Sequence, residues 1–330
     1  MSRRCLTALL LAAALAISGC GSAREDVTPN QAATLLLDCQ PNAVHTGIYT
    51  AVARGYDDAL GVNLRIRAPS DSTDAVKLLI SGRTDLAILD IHDLAIARER
   101  GRDLVGVMAI VQEPLAAILA QPEIKTPRDL EGRRVGVTGL PSDDAILRSI
   151  VEGAGGDPDR VRTTTIGFDA VRSLLTGRVA AATGFWNAEG VALRAKRPEI
   201  REFRVNDYGA PAYPELVLTT TRELLQDQPG VVRAAVAAIA RGYSEVLSDP
   251  ETGVGNLLAA TKGLDRATVA RDLDAISADF TAGARYFGEL DPVRLRAWAS
   301  FQRRRGSVRR LPDVARAFDG RFVPRSGSRD

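Results

Sequence analysis

A helix-and-strand unit is written twice in this chain. AVKLLISGRTDLAIL begins at Ala75 and AVRSLLTGRVAAAT begins at Ala170. Each copy carries an apolar stripe of helical period: Val76, Leu79 and Ile80 in the first, Val171, Leu174 and Leu175 in the second. Each stripe ends at a glycine, Gly82 or Gly177, a residue suited to the left-handed position that closes a helix. Arginine and a strand-like run follow in both. Two copies are too few for a solenoid. They constrain the chain to two similar α/β lobes.

The rest of the pattern agrees. Short, apolar, partly β-branched runs at Thr34–Asp38, Val62–Arg67, Leu86–Asp90 and Val105–Val111 alternate with helix-period segments. Arg133–Gly139, Val161–Ile166 and Val179–Thr183 do the same further on. This alternation predicts parallel β-α-β units. After Glu215–Thr221 the chain reads as helical to its end. Val231, Val232, Ala235, Val236, Ile239, Tyr243 and Val246 form one stripe, expected to return and complete the first lobe. Two lobes joined by crossings imply a cleft, with ligands at the carboxyl ends of the parallel strands.

The first residues, MSRRCLTALLLAAALAISGCG, place two arginines before an apolar run from Leu6 to Ile17. The run is too short to span a bilayer and reads as a secretory signal over residues 1–19. Ile17-Ser18-Gly19-Cys20 resembles a bacterial lipobox, so Cys20 is expected to be lipidated and residues 20–32 to form a polar tether. That anchor would hold the chain on the extracytoplasmic face of a membrane. Cys39 is then the remaining thiol, and no intrachain disulfide is expected. The net charge is +2, with arginines scattered among acids, which leaves no nucleic-acid footprint. The basic run Gln302–Arg310 reads as a solvated helix end.

Four loops fall at predicted strand ends. They are DCQPNAVHTG from Asp38, LDIHDLAIAR with Asp90, His92 and Asp93, VTGLPSDDA with Gly139, Ser142, Asp143 and Asp144, and TGFWNAEG with Phe185, Trp186, Asn187 and Glu189. Both histidines of the chain lie in them. Singly, His45 reads as a cap, His92 as a helix-start residue and Trp186 as packing; jointly they mark a cleft wall. The loop cores hold Asp38, Asp90, Asp93, Asp143, Asp144 and Glu189 but no Lys or Arg. Helix N-termini that could hold an oxyanion already carry carboxylates. An amine-bearing heterocycle that stacks on an aromatic ring and donates protons to carboxylates fits better. Asp93 and Asp144 read as capping acids that point outward. A hydrolase with His45 or His92 as base, or a metal site of the two histidines and aspartates, ranks below ligand capture. Neither a nucleophile elbow nor a close helical His pair is present. No catalytic residue, metal or cofactor is expected.

DCQPNAVHTGIYTAVARGY, from Asp38 to Tyr56, resembles the opening motif of the thiamine-pyrimidine branch of bacterial ABC-transporter substrate-binding proteins. That branch is related to the yeast-type pyrimidine synthase and, more distantly, to nitrate, sulfonate and taurine binders. SGRTDLAIL, EGRRVGVTG, FWNAEG and YPELVL extend the resemblance from about Ala33 to Phe322. It implies a type II periplasmic-binding-protein fold: residues 33–120 as the first lobe, 121–217 as the second, and 218–325 returning to the first. It implies a monomer that closes on a thiamine-precursor pyrimidine, formylaminopyrimidine or hydroxymethylpyrimidine, and delivers it to a permease and ATPase. Asp38, Cys39, Asn42 and His45, with Asp90 and His92, would belong to the first-lobe wall. Gly139, Ser142, Trp186, Asn187 and Glu189 would form the opposite one, with Tyr213 and Glu215 near the return crossing. Trp186 would stack, Asp38 and Glu189 would accept amino protons, and a histidine would bond a ring nitrogen or carbonyl. Cys39 stands where relatives often carry Trp. Ile88 stands where the synthase has a Schiff-base Lys, and GLPSDD replaces its glycine-rich phosphate loop. The cysteine-rich segment of that enzyme is also absent, so a binding protein is expected. Riboflavin or a nitrate- or sulfonate-like anion as solute, a secreted synthase, and a surface sensor are the alternatives.

Overall fold

The computed structural model describes residues 31–325. The expected signal and Cys20 lie outside them, and the expected tether gives way at Gln31 to a strand. Ten strands form two five-stranded sheets. The first contains β1 (Gln31–Leu36), β2 (Val62–Arg67), β3 (Leu86–Asp90) and β4 (Leu104–Val111). The second contains β5 (Ala116–Ala120), β6 (Arg134–Val137), β7 (Arg162–Thr165), β8 (Ala181–Phe185) and β9 (Arg201–Arg204). Strand β10 (Leu216–Thr221) returns to the first sheet.

The orders are β2-β1-β3-β10-β4 and β7-β6-β8-β5-β9, which are the same order in different numbers. Parallel pairing, expected throughout, holds on one side of each sheet, where β1 joins β2 and β3, and β6 joins β7 and β8. The other side is antiparallel: β10 lies between β3 and β4, and β5 between β8 and β9. Each lobe therefore receives one antiparallel strand directly from a crossing. Strand β5 lies before the expected boundary at residue 120 but pairs in the second sheet. Leu216 and Val217, expected in the second lobe, pair in the first. The outgoing crossing is thus 112–115. The repeat occupies equivalent places: helices Asp74–Ile80 and Ala170–Leu175 lead into β3 and β8. Gly82 and Gly177 both adopt positive φ, 67° and 70°, the helix-closing geometry expected of them.

The apolar stripe from Val231 to Val246 is wholly buried in the helix Pro229–Ser248. That helix crosses Thr46–Ala53 at a glycine contact. A Cβ on Gly242 would collide with the Gly47 carbonyl and stand 2.8 Å from the Ala51 nitrogen, and a Cβ on Gly47 would fall in the Tyr243 ring. Tyr243 stacks on Phe287 at 4.3 Å between centroids and donates its hydroxyl to the Val44 carbonyl at 2.6 Å. This crossing fixes the turn after β1, where the first candidate loop lies.

Backbone cannot yield as a side-chain tip can, so Gly242→Ala overpacks this crossing. The expected loss is about 3 kcal/mol, read as a lowered urea midpoint; an unchanged midpoint would show that the two helices can move apart.

Candidate functional site

The carboxyl ends of the parallel strands open on one cleft between the lobes, a cavity of ≈ 90 Å³. Asp38, Cys39, Ser72, Ile88, Asp90 and Asp93 line it from the first lobe. Thr138, Leu140, Ser142, Asp143, Phe168, Thr183, Phe185 and Glu189 face them from the second. Of the residues singled out in the sequence, Asp38, Cys39, Asp90, Ser142 and Glu189 reach the cleft, as do Asp93, Asp143 and Phe185 of the same loops. Asn42, His45, His92, Gly139, Trp186, Asn187, Tyr213 and Glu215 do not line it and stand behind its walls.

The first loop shows why. Asn42 caps the short turn Ala43–His45, accepting the Val44 N–H at 2.8 Å, as a polar residue at that position should. His45 Nδ1 accepts the Asn42 N–H at 3.1 Å. Its proton is therefore on Nε2, which donates to Asp38 Oδ1 at 2.8 Å. His45 is fully buried and presents Asp38 to the cleft without reaching it. Burial works against the Asp38 charge, but the attraction and hydrogen bond of His45 outweigh it and hold the carboxyl below its usual range. Cys39 accepts from the Asn42 amide at 3.2 Å. Burial, then Asp38 and Glu189, push its thiol well up, so little of it is the nucleophilic thiolate.

Asp90 caps the helix Ile91–Glu99, accepting the His92 N–H at 2.6 Å and the His92 ring at 2.8 Å. His92 Nε2 lies 2.7 Å from the Gln302 side-chain amide. Its ring meets Tyr213 and Trp298 edge-on, so His92 belongs to the hinge core. Asp93 departs from expectation: it is buried and bonded to Ser142 of the second lobe. Asp144 does point outward, toward Arg148. Asp143 accepts the N–H groups of Thr138 and Gly139 and the hydroxyls of Thr138 and Thr183, at 2.5–3.1 Å. Gly139 takes part through its backbone, at φ 94°.

On the second lobe, Glu189 accepts the Phe185 N–H at 2.9 Å, and burial raises its carboxyl against that bond. Trp186 does not stack in the cleft. Its indole donates to the Pro114 carbonyl at 3.1 Å, and the Arg204 guanidinium covers its ring at 4.0 Å. The exposed aromatic is Phe168, at 38 % accessibility. It follows β7 in TTTIGFDA, so the strand-end rule could have found it had the loop after that strand been counted.

At the hinge, Glu215 Oε2 accepts the N–H groups of Leu115 and Ala116 at 2.6 and 3.0 Å. Oε1 lies 3.8 Å from His92 Nδ1. Burial, then Asp90, push this carboxyl to about 8. His92 rises because Asp90 overcomes the opposing effect of burial. Among the described residues, two groups bring three donor atoms within 4.8 Å: Asp38, Cys39 and His45, and Asp90, His92 and Glu215. In both, the histidine nitrogens are already engaged in the bonds described, which account for the clustering without an ion.

Two outcomes follow from these placements. If the cleft takes a planar solute, Phe168→Ala is expected to weaken its binding about tenfold with little change in stability, the loss of one stacking face. Trp186→Ala instead costs about 3–5 kcal/mol of stability; paired binding titrations and urea curves separate the two. For pH, Glu215 and His92 both have folded values above their ordinary 4.5 and 6.5. Each of these groups then holds its proton more tightly in the folded chain, so the stability that Glu215 contributes falls as pH rises from about 4.5 to about 8, and that of His92 as pH rises above about 6.5. The slope is about 1.4 kcal/mol per pH unit for each proton, and urea midpoints across the Glu215 window should flatten in Glu215→Gln.

The profile of the NMT1/THI5-like family matches residues 42–253. The formylaminopyrimidine-binding protein of Halalkalibacterium halodurans is 33% identical over 253 residues, 76% of this chain and 77% of its own length. A 4-amino-5-hydroxymethyl-2-methylpyrimidine phosphate synthase of Saccharomyces cerevisiae is 25% identical over 231 residues, 66% of this chain and 67% of its own. Among solved structures, the alkanesulfonate-binding protein of Xanthomonas axonopodis pv. citri, bound to MOPS, matches with a TM-score of 0.69 at 15% identity. That match covers 88% of this chain and 98% of the other, and it shows the fold. The chain belongs to the NMT1/THI5-like family and has the two-lobed fold of the periplasmic binding proteins.

Proposed function

We propose that this chain is the extracytoplasmic substrate-binding protein of an ABC importer and captures a thiamine-precursor aminopyrimidine of the formylaminopyrimidine or hydroxymethylpyrimidine kind. The observation that carries this reading is the cleft's composition. Five carboxyl side chains line it (Asp38, Asp90, Asp93, Asp143 and Glu189) and, among the described residues, no Lys or Arg does. An oxyanion finds no cation there. An aminopyrimidine presents N–H donors and ring-nitrogen acceptors in one plane. Asp38, kept ionised by His45, accepts the exocyclic amine, and Glu189, raised toward its protonated form, can donate to a ring nitrogen. Phe168 supplies the apolar face. The relative at 33% identity is named for formylaminopyrimidine, which supports the same solute class.

The reading is capture without chemistry. Ile88 holds the cleft wall where a Schiff-base lysine would be needed, and the Cys39 thiol is pushed away from reactivity. No described helix is long and apolar enough to cross a membrane; attachment would come from lipidated Cys20. Lobe closure on the solute would then present it to the permease and its ATPase.

The test is thermal unfolding against formylaminopyrimidine, hydroxymethylpyrimidine, thiamine, riboflavin, taurine and nitrate. At 100 times its dissociation constant a ligand stabilises by about 2.7 kcal/mol, a midpoint shift of about 4 °C for a chain of this size. A pyrimidine should produce it. A shift with taurine or nitrate alone would overturn the reading.

A further inference from the structure

The two lobes touch across the cleft, away from the hinge, through a helix that lacks a cap of its own. The helix Ser142–Gly153 follows Pro141, whose side chain has no acceptor. Asp143 is turned back onto Thr138 and Gly139, and Asp144 faces solvent. The acceptor comes from the other lobe. Asp93 Oδ1 takes the Ser142 N–H at 3.0 Å, and Oδ2 pairs with the Ser142 hydroxyl at 3.1 Å. Asp93 stands in the first turn of the helix after β3 and is 3 % exposed. A second bond joins the same two lobes through other segments, from the Ser72 hydroxyl, before the helix Asp74–Ile80, to the Thr138 carbonyl after β6, at 2.8 Å.

We infer that Asp93 is a helix cap supplied in trans, a positioning residue that holds the cleft closed and thereby sets affinity for the solute. The first N–H groups of a helix need acceptors, and Asp93 Oδ1 supplies one. When the lobes part, Ser142 and Asp93 lose each other together, so these bonds stabilise the closed form alone. Burial, then Asp90, push the Asp93 carboxyl well above its ordinary range, so the cap acts as a buried hydrogen-bond partner whose bonds gain strength from the exclusion of water. Apparent affinity scales with the closed, binding-competent fraction, so a cap formed only on closure acts chiefly on dissociation. The same carboxylate occupies the helix terminus that an anionic solute would otherwise use. The claim about affinity rests on the solute-binding reading; the claim about closure does not.

Asp93→Ala, Asp93→Asn and Ser142→Ala should be compared with the unaltered chain, each first checked for a cooperative urea transition. Small-angle scattering without solute reports the closed fraction, and stopped-flow displacement of hydroxymethylpyrimidine reports dissociation. Asp93→Ala should raise the dissociation rate about tenfold and leave association within about twofold, with a larger radius of gyration in the absence of solute. Asp93→Asn, which keeps an acceptor oxygen, should recover most of the loss, and Ser142→Ala, which keeps the N–H, should fall between. Equal radii and equal dissociation rates in Asp93→Ala and the unaltered chain would overturn the inference. If hydroxymethylpyrimidine does not bind, the proposed solute fails while the radii alone still decide whether Asp93 closes the cleft. Should Asp93→Ala fail to fold, Asp93→Asn against Ser142→Ala makes the same comparison.

Discussion

One buried carboxylate ties the two lobes to each other. Glu215 takes two N–H groups where the chain leaves β4 for β5, that of Leu115 at the end of the outgoing crossing and that of Ala116 at the start of β5. Its own carbonyl accepts the Ile91 N–H at 2.9 Å, at the start of the helix after β3. A single residue of the return crossing therefore fixes the outgoing crossing and the helix that bears Asp93. Burying a carboxylate is costly unless it is neutralised or bonded, and here burial shifts Glu215 toward its protonated form while two amides satisfy one oxygen. Nearby, Arg294 bonds the Gln112 carbonyl and Glu113, and the Gln112 amide bonds the Glu289 carbonyl at 2.8 Å. A hinge built from directional bonds fixes which segments cross and in what register, something an apolar contact of the same area leaves loose.

The cleft depends on that frame because its acids come from both sides of it. Five carboxyl groups in one small space would be untenable as five free charges. The structure disperses them. Asp38 is backed by His45, Asp90 is bonded to the His92 N–H and ring, Asp143 is enclosed by four donors of its own lobe, and Asp93 is bonded to the opposite lobe. Glu189 is raised by burial. What remains for a solute is one held anion beside neutral or saturated acceptors. That pattern matches a neutral planar amine better than a metal ion or a strongly cationic guest.

How much of this was legible in the sequence follows from which signals are local. The repeat was, because glycines at Gly82 and Gly177 end helices by backbone geometry alone. Strands β2 and β3 were read at their observed limits, since β-branched and leucine runs bounded by turns carry their own signal. Strand β5, AAILA, has no such signal: it is wholly buried and alanine-rich, so its strand character comes from pairing with β8 and β9. Strand β9 is a short, charged edge strand. The antiparallel insertion of β5 and β10 is a long-range fact that no local window contains. The same distinction sorts the site. Placing acids at strand ends needed only the strands, and the cleft is acidic. Deciding whether an aromatic or histidine faces the cleft needs the pleat and the neighbours. Trp186 turns to Pro114 and Arg204, His45 turns inward behind Asp38, and Phe168, one strand end away, takes the open position. Asp93 was misjudged for the same reason, because its partner Ser142 lies on the other lobe.

A family containing both binding proteins and synthases poses the question of what separates capture from chemistry in one cleft. Ile88 is on β3, fully buried, and its side chain meets the cavity two residues before Asp90. A lysine there would be desolvated, which depresses an ammonium, and it would stand on the wall that also carries Asp90 and Asp93. The amine's reactivity would therefore depend on the state of acids that this chain uses for closure and hinge alignment. A phosphorylated cofactor would also have to approach the 138–143 segment, where Asp143 already consumes the N–H groups of Thr138 and Gly139, and Asp93 that of Ser142. The amides that could cradle a phosphate are thus spent on the protein's own carboxylates. Acquiring the amine without freeing those amides would yield a lysine with no cofactor to condense with. In this chain the N–H groups of Thr138, Gly139 and Ser142 are bonded to Asp143 and Asp93, so a phosphate would have to compete with the protein's own carboxyl groups for them.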